Sequence, residues 1–412
     1  MDNKSGVKLS PLIPYILAGC TAVSVLSTDL LTPSIPSLPE ALGTDIHAAQ
    51  MTVGINLAAY SVAQLVHGPL SDRFGRRKLL IWAFVFFALV SAACSYATSI
   101  EALLAGRFVQ GLFSSVPSVV IVLIIRELYG SQDALRVMAL YGAALGAAPA
   151  IGPLVGGYLH VWYGWTAGFW AITLLAAFMA AAFAVFVPES QPEKREKPQQ
   201  SAVVTYMQLL RHKSFLCLAL ALALSFGAYY AYVSTAPVIF ISNFGLPENR
   251  YGLTYIVVIV AFILGNVLAA RLSKIWTGQR MLVVAMRTKI VAISILLLAS
   301  ILSFESITVI LSSMVVFAIG FALMMAAGPI VLLDKVPDMP QGPASAMLGS
   351  LQLGAAALAG IASSAFYSGN SFSMALTMGV FVLAAAFFLM RANHCAAPVT
   401  SLSDAQELDL VD

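Results

Sequence analysis

The sequence predicts an all-α membrane protein with twelve transmembrane helices in two six-helix halves. Of its 412 residues, 60% are hydrophobic and only 10% are charged, whereas about a quarter of a soluble domain is charged. Runs of about 20 apolar residues, long enough to cross a hydrocarbon core of roughly 30 Å, lie near 12–32, 50–70, 79–97, 102–124, 135–158, 164–187, 215–241, 251–272, 281–302, 306–332, 344–367 and 371–391. They do not alternate in polarity, which argues against a β-barrel.

One long polar interruption, "PESQPEKREKPQQS" at 188–201, divides the chain between the sixth and seventh spans. Two similar halves around a central cavity are the architecture of many secondary transporters, which bind substrate near the membrane midplane. We predict an N-terminal six-helix bundle over 1–187, a cytoplasmic linker over 188–214, a C-terminal six-helix bundle over 215–391 and a disordered cytoplasmic tail over 392–412.

The distribution of basic residues predicts the orientation of the chain. Arg107 falls in the fourth span and Arg250 before the eighth, and the rest of the 22 Lys and Arg residues are assigned to the tails and to the loops that follow even-numbered spans. Positive loops stay in the cytoplasm. We therefore expect a multi-pass protein with both termini cytoplasmic.

Several classes of function are not indicated. The four cysteines are scattered without a C-x-x-C pair, so neither a disulfide framework nor a metal site is predicted. The loops are too short for a soluble catalytic domain, and no G-x-S-x-G, H-E-x-x-H or Walker loop is present. We expect no enzyme activity, no cofactor and no nucleic-acid partner.

The segment "STDLLTPSIP" at 27–36 contains Asp29, the only acidic residue well within a predicted span. Ionisable residues inside a membrane are functional candidates by default. Arg107 begins a polar stripe on the fourth span that continues with Gln110, Ser114 and Ser118. We hypothesise that Asp29 carries a proton, its charge alternately stabilised by Arg107 and destabilised by burial. The alternatives are a helix-end role for Asp29 and snorkelling of Arg107 to the headgroups.

Other polar and aromatic side chains at helical spacing predict a substrate pocket. Their combination of aromatic walls and neutral polar groups suits a lipophilic, weakly polar ligand, although such stripes also serve packing. The predicted substrate-binding residues are Asn56, Tyr60, Gln110, Tyr229, Tyr230 and Gln352.

Two glycine-containing segments predict moving parts. In "GPLSDRFGRRK" at 68–78, glycine permits close helix approach and Asp72 can face a helix N-terminus; a purely topogenic basic loop is the alternative. The predicted cytoplasmic gate comprises Gly68, Asp72, Arg73, Gly75, Arg76 and Arg77.

In "APAIGPLVGG" at 148–157, prolines predict a kinked gating helix, with tight packing as the alternative. Its assigned residues are Pro149, Gly152, Pro153, Gly156 and Gly157.

These segments resemble the major facilitator superfamily. Residues 68–78 match its signature G-x-L-[AS]-D-R-x-G-R-[RK]-[RK], and 148–157 resemble its antiporter motif, with Ala148 for the first glycine. More narrowly, the chain is similar to drug:proton antiporters of the Bcr/CflA type in "TDLLTPSIPSLPEAL" at 28–42, "IRELY" at 125–129 and "GPASAMLGSLQLGAAAL" at 342–358.

The resemblance implies the major facilitator fold, with the eleventh span beside Asp72 and a proton-transfer role for Arg107. It also implies a monomer in the bacterial inner membrane that exchanges protons for small amphipathic molecules by alternating access. Leu31, Glu127 and Thr166 depart from the subfamily pattern and leave the substrate open. The alternatives are a proton-linked transporter of one metabolite, such as a siderophore or amino acid, and a non-transporting membrane sensor.

Overall fold

A computed structural model describes residues 10–129, 131–190, 202–302 and 304–394. The described chain is helical, with a 3₁₀ helix at Thr32–Ser37 and a π-helical turn at Val238–Asn243. Its α-helices are α1 (Ile13–Asp29), α2 (Leu38–Leu42), α3 (Ile46–Phe74), α4 (Arg76–Ser95), α5 (Ile100–Ser114), α6 (Val116–Leu128), α7 (Ser131–Tyr163), α8 (Ala167–Phe186), α9 (Ala202–Arg211), α10 (Lys213–Pro237), α11 (Glu248–Leu272), α12 (Gly278–Ile301), α13 (Ile307–Asp334), α14 (Gln341–Ala365) and α15 (Ser371–His394).

Eleven stretches of the described residues are long and apolar enough to cross a membrane. The remaining predicted span corresponds to α3, whose 29 residues exceed the length that a bilayer requires. Its polar residues, among them Gln50, Asn56, Gln64 and His67, lower its hydropathy. The all-α fold class is confirmed. The eleven stretches and α3 together agree with the predicted count of twelve transmembrane helices.

Two of the predicted elements differ in the structure. The fourth span is interrupted between α5 and α6 at Ser115, where Pro117 opens the new helix because proline fits the first turn, whose N–H groups have no intrahelical partner. The predicted linker 188–214 contains the helix α9. Residues 191–201 and the tail beyond 394, whose disorder was predicted, lie outside the described residues.

Hydrophobic packing distinguishes the two parts of the chain. One buried cluster draws only on residues between Ile13 and Val187, and a second only on residues between Leu209 and Ala392. A smaller third cluster mixes both. Between the parts, α3 packs against α14 and α7 against α11. This distribution agrees with two halves, whose bounds stay a prediction.

The contact between the parts is close at one end of the bundle. We call the end that carries the turn between α3 and α4 the basic end, and the opposite end the far end. At the far end, a Cβ added at Gly252 of α11 would lie 2.7 Å from the backbone nitrogen of Leu154. Nearer the basic end, Gly142 and Gly146 of α7 are exposed, and a Cβ there would meet nothing within 4 Å. The space beside these two glycines of α7 is therefore unfilled toward the basic end.

Candidate functional site

A cavity of about 310 Å³ lies between the two parts of the bundle. It is lined by side chains of α1, α3 and α7 on one side and of α10, α11, α13 and α14 on the other. Of the six predicted substrate-binding residues, Tyr60, Tyr229 and Tyr230 line it. The cavity therefore has the location that a substrate site between two moving halves requires.

Four aromatic rings form one wall of this cavity. We call Phe226, Tyr229, Phe262 and Phe321 the aromatic wall. The ring of Phe321 stacks on Tyr229 with centroids 5.2 Å apart and planes 17° apart, and its centroid lies 5.9 Å from Phe226 and 5.7 Å from Phe262. Such rings offer a large apolar surface of fixed geometry, which suits a lipophilic ligand.

Asp29 is the last residue of α1 and is only 4% exposed. Its neighbour Thr28 lines the cavity. The chain then turns into the 3₁₀ helix, and the Thr32 hydroxyl donates a hydrogen bond to the Asp29 carbonyl oxygen (2.8 Å). Asp29 does lie at a helix end, as the alternative expected, but it is buried beside the cavity and not in contact with open water.

Arg107 of α5 is fully buried. Its guanidinium donates to the carbonyl oxygens of Ser27 (3.0 Å) and Thr52 (3.2 Å) and to Oε1 of Gln110 (2.5 Å). It thereby joins α5 to α1 and α3, which contradicts the snorkelling alternative. Among the described residues it forms no ion pair with Asp29, and its Nη2 has no hydrogen-bond partner.

Three predicted substrate-binding residues do not line the cavity. Buried Asn56 accepts from the Thr28 hydroxyl (3.0 Å) and donates to the Arg107 carbonyl oxygen (2.9 Å). Gln110 donates to the Ser91 hydroxyl at 2.7 Å. Gln352 lies beside the cavity-lining Leu353 and donates to Met325 Sδ at 3.5 Å. Asn56 and Gln110 position α1 and Arg107, and a substrate contact for all three stays a prediction.

The glycines of the predicted gating helix lie where α7 meets other backbones. A Cβ at Gly152 would be 2.5 Å from Asp29 Cβ, and one at Gly156 would meet the Leu30 carbonyl oxygen. A Cβ at Gly157 would meet the Glu248 backbone of α11. Pro149 lines the cavity. The helix α7 continues through Pro149 and Pro153, and the predicted kink and gating role stay predictions.

The predicted cytoplasmic gate forms an ion-pair network at the basic end. Fully buried Arg76 contacts Glu127 (2.8 Å) and Asp72 (3.4 Å). Arg77 donates to the carbonyl oxygens of Val187 (2.7 Å) and Ala184. These contacts tie α3 and α4 to α6 and to the end of α8.

Two other residues of the predicted gate show why the turn has this sequence. Gly75 adopts a φ of 88° between α3 and α4, a conformation that L side chains rarely adopt. Exposed Arg73 lies over the Phe74 ring. Within the described chain, no helix approaches Gly68 closely: a Cβ at Gly68, or at Gly342 near the start of α14, would meet nothing within 4 Å. The position of the eleventh span beside Asp72 stays a prediction.

Lys289 is a buried charge that sequence reasoning missed. It lies in the middle of the 24-residue helix α12 and is fully buried. The assignment of all basic residues except Arg107 and Arg250 to loops and tails was therefore wrong. Lys289 lies eight residues into the predicted span 281–302. An ionisable residue at that depth was the signal that could have identified it from the sequence.

A bundle of membrane-spanning helices, with an aromatic cavity between its two parts and buried charges within each part, is the arrangement of a membrane transporter. The chain belongs to the Major Facilitator Superfamily, whose sequence profile matches residues 17–360. This confirms the resemblance.

Curated relatives resemble the chain over most of its length. A bicyclomycin resistance protein homolog of Haemophilus influenzae is 25% identical over 379 residues, covering 89% of this chain and 92% of the relative. A chloramphenicol resistance protein of Pseudomonas aeruginosa is 26% identical over 76% of this chain and 74% of its own. The multidrug resistance protein MdtM of Salmonella typhimurium is 30% identical over 67% of each.

Solved structures show the same fold. A bacterial homolog of the human lysosomal transporter Spinster, in an inward-facing and occupied conformation, has a TM-score of 0.73 at 14% identity and covers 94% of this chain and 98% of its own. A D-xylose-proton symporter has a TM-score of 0.68 at 18% identity, with coverages of 92% and 97%.

Proposed function

We propose that the protein exports small amphipathic molecules from a bacterial cell in exchange for protons, by alternating access. The observation that carries this proposal is the burial of Asp29 between the cavity-lining residue Thr28 and Gly152 of α7. The names of the relatives, which refer to resistance to bicyclomycin, chloramphenicol and multiple drugs, support export as the direction.

Asp29 has the surroundings that a proton carrier needs. An ionised carboxylate without a partner is costly in an apolar site, so a closed cavity favours the protonated carboxyl. Water or a cation stabilises the ionised form. The unpartnered Nη2 of Arg107, held near α1 through the Ser27 carbonyl oxygen, is a donor that the carboxylate can reach after a small rearrangement.

The interfaces provide the movement. We take the backbone-to-backbone contacts between α7 and α11 at the far end as the pivot, and the unfilled space beside Gly142 and Gly146 supports access to the cavity from the basic end. In the other half of the cycle the basic end closes and the far end opens. The Arg76 network keeps the basic ends of the N-terminal helices together during this motion.

In the cell, we place the basic end in the cytoplasm of a bacterial inner membrane, with both termini on that side and the protein working as a monomer. The basic residues of 73–78 support this orientation. The membrane potential is an adequate driving force, since one charge that crosses 100 mV gains about 2.3 kcal/mol.

Proteoliposomes with an imposed pH gradient test the proposal. We expect chloramphenicol to move against its gradient with measurable proton flux, and Asp29→Asn to abolish both while leaving the melting temperature unchanged. Glu101→Gln, at an exposed carboxylate at the start of α5, is the matched control. Full gradient-driven transport by Asp29→Asn would contradict the role of Asp29. A wild-type protein without any proton-coupled flux would contradict the proposed function and favour a sensor.

A further inference from the structure

Lys289 is a buried cation for which the proposed mechanism has no use. Its Nζ donates hydrogen bonds to the Ser225 hydroxyl of α10 and to Met324 Sδ of α13 (2.7 Å). Both partners are neutral, and no carboxylate of the described residues pairs with it. A buried charge without a counter-ion is costly.

The lysine is not explained by stability. Replacing a buried charge with an apolar side chain of similar volume is often neutral or stabilising, so stability alone does not require a lysine at this position. The packing nevertheless accommodates the lysine: a Cβ at Gly320 of α13 would lie 3.1 Å from Lys289 Cγ. A glycine at this position leaves space for the aliphatic part of the lysine.

Lys289 is hydrogen-bonded to two residues that are close in sequence to the aromatic wall. Its partner Ser225 precedes Phe226, and its partner Met324 is one helical turn from Phe321. Both phenylalanines line the cavity, and their ring centroids are 5.9 Å apart. For the long, flexible lysine side chain to reach the cavity, these two rings would have to separate.

The charge balance around the cavity favours an anion. Among the described residues, the buried charged side chains are Asp29, Arg76, Arg107 and Lys289. Arg76 lies at the basic end and is paired with Glu127. Neither Arg107 nor Lys289 has an ion-pair partner among the described residues, and Asp29 is the one buried carboxylate there. When Asp29 is protonated, an acidic group on a bound molecule would supply the missing negative charge.

We propose that Lys289 recognises an acidic group of the transported molecule, so that the preferred substrates are amphipathic anions with an aromatic or other lipophilic body. The aromatic wall binds the lipophilic body, and Lys289 binds the acidic group in place of Ser225 and Met324. This inference rests on the proposed function only in taking the cavity as the substrate site.

Two fluorescent probes that differ by one acidic group test this inference. Anilinonaphthalene sulfonate carries a permanent negative charge, and phenylnaphthylamine is its neutral counterpart. Each would be titrated into the full chain in lipid nanodiscs, without a proton gradient. We expect Lys289→Met to weaken binding of the sulfonate about tenfold and to leave phenylnaphthylamine binding unchanged, while Lys289→Arg keeps the sulfonate affinity. Lys274→Met, at an exposed lysine just after α11, is the matched control.

Each outcome decides the matter. Equal sulfonate binding by wild type and Lys289→Met overturns the inference, and so does an equal loss of both probes, which would indicate a structural role. If Lys289→Met changes neither probe but alters the pH profile of export, the lysine handles protons and not anions. These titrations need no proton gradient, so their result is independent of the flux assay. Anion recognition by Lys289 can be contradicted while proton-coupled export is confirmed, and export can be contradicted while anion recognition is confirmed.

Discussion

Gly152 of α7 lies against Asp29 of α1, so that a Cβ at Gly152 would be only 2.5 Å from Asp29 Cβ. The absence of a side chain at Gly152 therefore determines how closely α7 approaches the acidic residue. Gly156, one turn further, gives the same close approach to the backbone of Leu30. Movement of α7 relative to α1 would change the surroundings of the carboxyl directly, which links gating to the proposed proton site.

We predict that Gly152→Ala destabilises the protein and lowers proton-coupled export. The new methyl group would press on a Cβ that the backbone holds in place, and overpacking of this kind costs about 1–3 kcal/mol. The measurement is the melting temperature of purified protein together with gradient-driven chloramphenicol flux. Gly142→Ala in the same helix, where a Cβ meets nothing within 4 Å, should leave the melting temperature nearly unchanged. Equal effects of the two substitutions would contradict the importance of the contact.

Much of the fold could be predicted from the sequence because a bilayer demands long apolar helices. The polar residues were harder to interpret. Asn56 and Gln110 lie on polar stripes as predicted, but a stripe does not show whether it faces a cavity or a neighbouring helix. In the structure both hydrogen-bond to other helices, while Tyr60 on the same helix as Asn56 lines the cavity.

Lys289 and the break at Ser115 show a second limit. Arg287 and Lys289 together do not lower the hydropathy of α12 enough to interrupt its apolar run, so the run conceals the buried lysine. The interruption between α5 and α6 is stabilised by contacts that are distant in sequence: the His67 ring of α3 lies 2.9 Å from the Ser115 hydroxyl. Apolar periodicity carries no information on such pairings.

Arg107→Gln is predicted to destabilise the N-terminal helices as well as to abolish transport. The substitution removes hydrogen bonds to the carbonyl oxygens of Ser27 and Thr52, and bonds from a charged donor contribute about 1.5–3 kcal/mol each. We expect a clear fall in melting temperature. The exposed Arg250 provides a control, since Arg250→Gln should melt as wild type does. An unchanged melting temperature for Arg107→Gln would mean that these bonds do not hold α1 and α3 in place.

Arg76→Gln should loosen the basic end. Glu127 would lose its 2.8 Å ion pair, and removing one partner of a buried pair costs about 3–5 kcal/mol. Because the Glu127 side chain keeps 16% exposure, water offsets part of that loss and we expect about 1–3 kcal/mol. Hydrogen exchange at the start of α4 and the end of α6 measures it. Exposed Arg73→Gln should leave exchange there unchanged, and protection that survives in Arg76→Gln would argue against the network.

Phe321→Ala is predicted to weaken binding of both naphthalene probes by a similar factor. Phe321 contacts three other rings of the aromatic wall, and its removal takes away both its own surface and the support of Tyr229. We expect a loss of about 1.4 kcal/mol, which corresponds to about tenfold in affinity. Phe387→Ala, at a ring 49% exposed on α15, is the control and should bind both probes as wild type does. The sulfonate and the neutral probe share the same aromatic body, so loss of Phe321 should affect both. A loss of affinity for the sulfonate alone would mean that the aromatic wall does not bind that body. The cavity would then be excluded as the substrate site.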